Sequence, residues 1–331
     1  MTLASSDHHS NNRKTGPEDT GGPSSVKYVI SWLAWPFFLG TCITGLAYGS
    51  EIMPPVLAFN ITYLYLILSL LVLERIMPHE IDWNQNDGQT FANIAHTLTS
   101  KGTVQGIVIF GGVIGLSDYV SGLDGEPYGI WPRDWPLWGQ VALALVLAEF
   151  MLYWAHRIAH EWPPLWNFHA VHHSVTRLWI VNTGRFHFID SLISVSLGSA
   201  IVLALGAPME VIIWLSAMTA FIGMLTHCNV EMRFGPISYI FNTPGLHRWH
   251  HSQDLREGNK NYGENLVIWD QLFGTFYNAD RRPPKNIGIP EYMPERFVDQ
   301  LLYPFRVKHY RRKGREIRKN LNDRSSAGPI E

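Results

Sequence analysis

The chain has 331 residues, a formal net charge of −2, 16% charged against 46% hydrophobic residues, and 13 tryptophans. Soluble domains usually carry about 25% charge, so the composition argues against an ordinary soluble protein and toward one that meets lipid, where Trp and Tyr gather at headgroup level. The two cysteines, Cys42 and Cys228, exclude a disulfide framework and a cysteine-rich metal or iron–sulfur site, so any metal must be held by other ligands.

Residues 1–27 are rich in Ser, Gly, Asn and Pro with little to bury, which predicts a disordered tail in which His8 and His9 are a chance pair. Residues 28–48, YVISWLAWPFFLGTCITGLAY, carry no charge and suffice to cross a bilayer, which takes about 20 residues. The run starts too late and is too long for a cleaved signal peptide. Residues 56–73, VLAFNITYLYLILSLLVL, predict a second span after the breakers Pro54 and Pro55. Residues 102–116 predict a weaker, Gly-rich span, and 138–154, WGQVALALVLAEFMLYW, a fourth with Glu149 inside it. The runs 191–206 and 211–226, split by Gly206, Ala207 and Pro208, suit a re-entrant hairpin.

Lys and Arg are scarce in 49–55 and in 117–137, which carries only Arg133, whereas Arg13, Lys14, Lys27, Arg75 and Lys101 lie on the other side. Positive residues stay inside, so everything from His156 on is expected to be cytoplasmic, apart from the hairpin. The basic run FRVKHYRRKGREIRKN reads as a solvated helix near anionic headgroups rather than a nucleic-acid-binding element. No phosphate loop, nucleotide fingerprint or internal repeat is present. The expected fold is an all-α polytopic membrane bundle of about four transmembrane helices plus the hairpin, with a cytoplasmic histidine-rich helical cap. A membrane domain would cover 28–300 and a basic tail 301–331.

Three short words carry the chemistry: HRIAH at 156–160, HAVHH at 169–173 and HRWHH at 247–251. His156 and His160 are four apart, so on a continuing helix they share a face. His169, His172 and His173 occupy one helical turn, and His247, His250 and His251 repeat that arrangement. Eight imidazoles exceed the needs of one ion and suit two ions that share a site and keep positions open. Ionisable groups at the end of a span are expensive and usually functional. His227, which follows the hairpin, is a further candidate ligand. His187 is a candidate either to ligate or to orient a ligand, with Asp190 placed to accept its other N–H. His96, His79 and His309 read as ordinary packed or surface residues.

The three words resemble those of the membrane fatty acid hydroxylase and sterol desaturase superfamily, a HxxxH and HxxHH followed, after a hydrophobic hairpin, by a second HxxHH. The resemblance extends over RFHFID, HCNVEMRFGP, FNTPGLHRWHH and NKNYGENLVIWDQLFGTFYNADRRP, from about residue 140 to 283, and includes the alkylglycerol monooxygenase-like bacterial branch. It implies a helical membrane enzyme with two iron ions on the cytoplasmic side, using O2 and two electrons to oxidise a C–H bond of a lipid. Carried onto this chain, the ligands are His156, His160, His169, His172, His173, His227, His247, His250 and His251. Some relatives carry a second histidine four residues from the one matched by His227; here Gly223 and Glu231 stand there. Glu231 and His187 are therefore candidates for a last ligand. Asp190, Glu264 and Asp270 are candidates to orient ligands, and Arg157 and Arg248 to contact substrate.

Imidazoles suit iron, zinc and copper alike; the resemblance is what names iron. Hydroxylation of a fatty acyl chain, a sterol-like ring or a polar-lipid headgroup such as that of ornithine lipid is the leading reading, with desaturation as its alternative. A non-catalytic metal-binding protein predicts polar residues along the spans, and a zinc hydrolase needs only three ligands. The chain shows no haem, flavin or nicotinamide site, so a separate ferredoxin, cytochrome or reductase is implied as electron donor, the lipid as partner, and a bacterial inner membrane as location.

Overall fold

The computed structural model describes residues 25–107 and 129–326. The expected tail up to residue 24, most of the 102–116 segment and most of the loop after it lie outside the described residues. Helix α1 (Ser25–Ile52) takes in the last three residues of the expected tail and runs antiparallel to α2 (Pro55–Ile76), which opens on Pro55, a residue preset for a first turn. Gly45 and Gly49, four apart, let the two backbones approach: a Cβ at Gly49 would lie 2.9 Å from the Ala58 Cβ. The outer faces of this pair, including Leu33, Phe37, Leu57, Leu64 and Leu68, are exposed apolar surface suited to lipid.

Helix α3 (Leu137–Glu161) passes the expected end at Trp154 and carries His156 and His160 in its last turns. The chain turns at Trp162, and Pro163 and Pro164 start α4 (Pro163–His173). Helices α5 (Phe188–Ala204) and α6 (Met209–His227) form the hairpin, joined through Gly206 at φ 83° and stopped by Pro208. Ile130 N donates to Leu205 O at 3.1 Å, and Arg133 donates to Gly206 O. The hairpin tip is therefore level with the start of α3, and the pair reaches as deep as α3 does. At about 1.5 Å per residue, the 19 residues of α6 extend about 28 Å. Among the described residues, α1, α2, α3 and α6 are long and apolar enough to cross a membrane. The hairpin's second leg thus joins the set of spans, whereas of the 102–116 segment only 102–107 is described, with Thr103–Ile107 as a short helix.

The membrane core is built from all four, with Trp35, Leu46, Leu66, Leu70, Ala144, Phe221 and Leu225 buried together. At the histidine end, Glu74 of α2 accepts hydrogen bonds from Ile180 N at 3.0 Å and Asn229 N at 2.8 Å, tying two cap segments to the spans. The cap contains α7 (Pro244–His250) and is followed by α8 (Val307–Ser326). Among the described residues the only strand-like pairings are isolated bridges, such as Phe241 with Leu266.

Candidate metal centre

Nine histidines converge where α3, α4, α6 and α7 meet. His156, His160, His169, His173 and His250 form one group, and His172, His227, His247 and His251 the other, with ligand atoms in each group within 4.8 Å of one another. All nine resemblance-derived ligands are thus brought together, and neither group contains a carboxylate among the described residues. Each HxxHH word is divided between the groups. Residues four apart share a helix face while neighbours differ by about 100°. His169 and His173 therefore join the first group and His172 the second; His247 and His251 join the second and His250 the first.

Six of the nine outer ring nitrogens face oxygen acceptors, while Nδ1 of His247 and of His251 is buried without one. Nδ1 faces Tyr262 O at 2.6 Å in His156, Asn259 Oδ1 at 3.2 Å in His160, Asp190 Oδ2 at 2.9 Å in His169 and Arg185 O at 3.3 Å in His172. In His227 it faces Gly223 O at 2.9 Å, and in His250 Lys260 O at 2.7 Å. A proton on Nδ1 leaves Nε2 as a bare lone pair. Yet Nε2 of His156 lies 3.0 Å from Nε2 of both His169 and His250. Lone pairs facing at that distance repel, and the arrangement becomes favourable only around a cation. With metal–nitrogen bonds of about 2.1 Å, ligands at right angles stand about 3.0 Å apart and tetrahedral ones about 3.4 Å. The spacings of 3.0–3.1 Å within both groups fit ions with right-angled ligands and open positions better than closed tetrahedral zinc. Burial, and then the neighbouring imidazoles, hold His172, His173, His247, His250 and His251 well below the ordinary histidine pKa, so they are neutral, the form that ligates. The donor set fits a pair of metal ions.

Several other sequence candidates stand elsewhere. His187 caps α5, its Nδ1 accepting from Ile189 N, while Nε2 faces Leu301 O, so neither nitrogen is turned to the groups. Glu231 pairs with His79 at 2.7 Å and with Arg282, which occupies its carboxylate outside the centre. Arg248 is buried, with its guanidinium donating to Cys228 O and Val230 O; it braces the chain after α6 and has no open surface for a substrate. Arg157 bonds Glu161 and the Tyr153 hydroxyl at the end of α3. His96 is packed, with its ring nitrogens against Phe186 O and Gln300.

The loop 259–265 is the element the sequence did not reveal. It supplies the carbonyls of Lys260 and Tyr262 and the Asn259 amide to three of the rings. Two buried carboxylates clamp it. Asp270 accepts from Tyr262 N and Gly263 N, each at 2.8 Å, and Glu149, inside α3, accepts from the backbone of Glu264 and Asn265. Only glycine fits at 263, because a Cβ would lie 2.1 Å from Leu266 O. Backbone acceptors leave no side-chain signature, so only the block NKNYGEN hinted at this loop. Phe186 also escaped notice; it stacks on His172 with ring centroids 4.1 Å apart.

A cavity of about 130 Å³ lies against the centre, lined by His156, His172, His227 and His247, by Phe186 and Met224, and by Glu264. A smaller one of about 60 Å³ lies between α3, α5 and α6, and Thr219 and Glu264 line both.

The profile of the fatty acid hydroxylase family, described as "Fatty acid hydroxylase", matches residues 141–275. The chain is 50% identical over 287 residues to the ornithine lipid hydroxylase OlsE of Rhizobium tropici, covering 86% of this chain and 87% of that protein. It is 31% identical over 146 residues to the alkylglycerol monooxygenase of Xenopus tropicalis, covering 44% of this chain and 31% of that one. With the human alkylglycerol monooxygenase the identity is 32% over 146 residues, covering 44% and 32%. No solved structure gives a significant match.

Proposed function

Since the chain belongs to the fatty acid hydroxylase family, we propose that this membrane oxidoreductase hydroxylates a polar lipid carrying an ornithine headgroup, at a centre of two iron ions. His156, His160, His169, His173 and His250 would hold one ion, and His172, His227, His247 and His251 the other. Bound there, the iron pair supplies the oxidising chemistry, in which O2, two electrons and two protons place one oxygen atom in a C–H bond and release the other as water.

The chain's own residues do the positioning. The Nδ1 bonds to Asp190, Asn259 and the backbone fix six of the nine rings and their tautomers, so that those Nε2 atoms are aimed and unprotonated before a metal arrives. Phe186, Ile180, Met224 and Tyr63 give the cavity an apolar wall that excludes bulk water from the reacting carbon. The smaller cavity lies beside it between α3, α5 and α6 and shares Thr219 and Glu264 with it, an arrangement that suits a substrate arriving laterally from lipid. Under this reading electrons come from a separate carrier and the centre faces the cytoplasm from a bacterial inner membrane, an orientation that the positively charged cap residues support.

The observation that carries the proposal is the meeting of nine imidazoles with a cavity that leads between membrane helices. The test is a lipid mass spectrum from cells that make ornithine lipid. It compares the wild-type chain with His172→Ala and His250→Ala, one from each group. A species one oxygen heavier, labelled by ¹⁸O2 and absent from both variants, is expected. A species two hydrogens lighter would make the protein a desaturase. Identical lipids in all three strains, with iron bound to the wild type and an electron donor supplied, would sink the reading.

A further inference from the structure

Helix α8 is seated on the cap by one face. Val307, Tyr310 and Gly314 turn inward, and Tyr310 is buried in one cluster with Tyr303 and with Ala170 of α4. The Tyr310 hydroxyl donates to Asp299 at 3.2 Å. Lys313 lies over the Tyr292 ring and Arg318 donates to Pro290 O, which fastens the edges. The opposite face carries Lys308, Arg311, Arg312, Arg315 and Lys319, all exposed. They stand three, four, seven and eleven residues after Lys308, so they share one face within about 100°, a stripe about 16 Å long. Among the described residues, the one ion pair these five make is Arg312 with Glu316, at 3.9 Å and largely exposed. Glu291 and Asp299 border the inward cluster instead, near Tyr303 and Tyr310. Metal ions in the histidine groups carry the same sign as the stripe and add to its potential.

Behind α8 this cluster leads to the centre. Trp166 of α4 packs against it on one side. On the other, the indole lies 5.3 Å from the His160 ring and 5.6 Å from the His173 ring, centroid to centroid, and both rings belong to the first histidine group. One aromatic side chain thus stands between the cluster that seats α8 and two candidate ligand rings. A helix that binds a lipid surface lowers an apolar stripe into the headgroups. The apolar stripe of α8 is already buried in the cap, and its outward face is charge, with Ile317 half-buried beside it. That favours a protein partner in water.

We propose that the outward face of α8 docks an acidic one-electron carrier protein, and that Trp166 couples the docked carrier to the centre. This rests on the lipid-hydroxylase reading, which consumes two electrons from outside the chain. Each carrier molecule is oxidised by one electron. Two such visits supply the pair that, with two protons, reduces the second atom of O2 to water. The stripe steers the carrier and sets its orientation, because complementary charge governs encounter and register more than affinity. Trp166 is a positioning residue for this passage: its ring fills the space between the docking helix and the ligands with contacting atoms, and a smaller side chain would leave a gap.

The test uses the full chain, iron-loaded in phosphatidylcholine nanodiscs, with a plant-type ferredoxin as the acidic probe. Binding is measured without oxygen at low and high salt, and oxidation of reduced ferredoxin is followed by stopped-flow absorbance. Wild type is expected to bind the probe at low salt and release it at high salt. The double variant Arg311→Glu/Arg315→Glu is expected to bind about tenfold more weakly or worse, with iron content and melting temperature unchanged. Trp166→Leu is expected to bind ferredoxin as wild type does but to oxidise it several times more slowly, and Trp166→Phe to recover most of the rate. The proposal is overturned if wild type does not bind the probe at low salt, or if the double variant binds it as tightly as wild type. It is overturned too if the double variant loses affinity only for phosphatidylglycerol vesicles, which would give the stripe to the membrane, or if Trp166→Leu oxidises ferredoxin at the wild-type rate. A wild type that binds and oxidises ferredoxin as expected but leaves ornithine lipid unchanged under oxygen would instead overturn the preceding reading and leave the dock standing.

Discussion

At the scale of single residues, the nine imidazoles differ in how their outer nitrogens are held. His169 is the one whose Nδ1 rests on a carboxylate, Asp190, and both side chains are nearly buried. A carboxylate acceptor makes the ring a stronger donor than a carbonyl does, and loss of such partners typically weakens metal affinity by about 10–100-fold. Asp190→Ala should therefore lower affinity for the first group's ion by that range, and Asp190→Asn, whose amide oxygen can still accept, by much less. Metal content after competition with a graded chelator measures this, and equal retention by all three proteins would remove Asp190 from the centre. The spacing of the three words made the ligand set readable in advance. The division of His172 from His173, and of His250 from His251, was not read in advance, although it follows from helical phase. What spacing could not supply was the identity of the Nδ1 acceptors. Four of the six are backbone carbonyls, from Tyr262, Arg185, Gly223 and Lys260.

At the scale of elements, α6 sets the shape of the chamber beside the metals. Gly223 lies inside this helix, one turn before His227, and a Cβ placed there meets nothing within 4 Å. It lines the larger cavity with Ala220 and Met224. Glycine within a helix costs about 1 kcal/mol relative to alanine, so the position gives up helix stability for open space. Gly223→Ala should stabilise the protein by roughly 0.5–1 kcal/mol with its iron intact. Gly223→Leu should keep the iron but cut lipid turnover at least tenfold, because the side chain fills the chamber. Thermal unfolding, iron content and turnover of the three proteins decide it; full turnover in Gly223→Leu would place the substrate elsewhere. The sequence showed Gly223 only as the place where some relatives carry histidine. Its function depends on which face of α6 meets the centre. That face is set by the packing of α6 against α1, α2 and α3, and apolar runs of this kind carry little periodicity from which to read it. Glu149 is similar. It was visible as a charge within a span, but its partners Glu264 and Asn265 lie far along the chain.

At the scale of the whole molecule, the fold separates two ends, and charge labels them. Lys27, whose Nζ reaches Ile76 O, Arg75, Arg282 and Lys285 all gather at the histidine end, which α8 follows with Lys308, Arg311, Arg312, Lys313, Arg315, Arg318 and Lys319. The opposite end carries the turn at Met53 and Pro54, without Lys or Arg, and the 129–136 segment, with Arg133 alone. Lys and Arg are retained on the cytoplasmic side, so the asymmetry predicts that the metal centre faces the cytoplasm, where reducing carriers are found. The two native cysteines, Cys42 and Cys228, are buried, which leaves a quiet background for a labelling test. Glu51→Cys, exposed at the far end, should react with a membrane-impermeant maleimide in intact spheroplasts. Glu316→Cys, exposed on α8, should react only after lysis. The reverse pattern would turn the molecule over, put the histidines outside, and require an electron donor there. The four described spans cannot be rearranged to avoid that outcome, because α1 and α3 each join the two ends directly, and the hairpin begins and finishes at the histidine end.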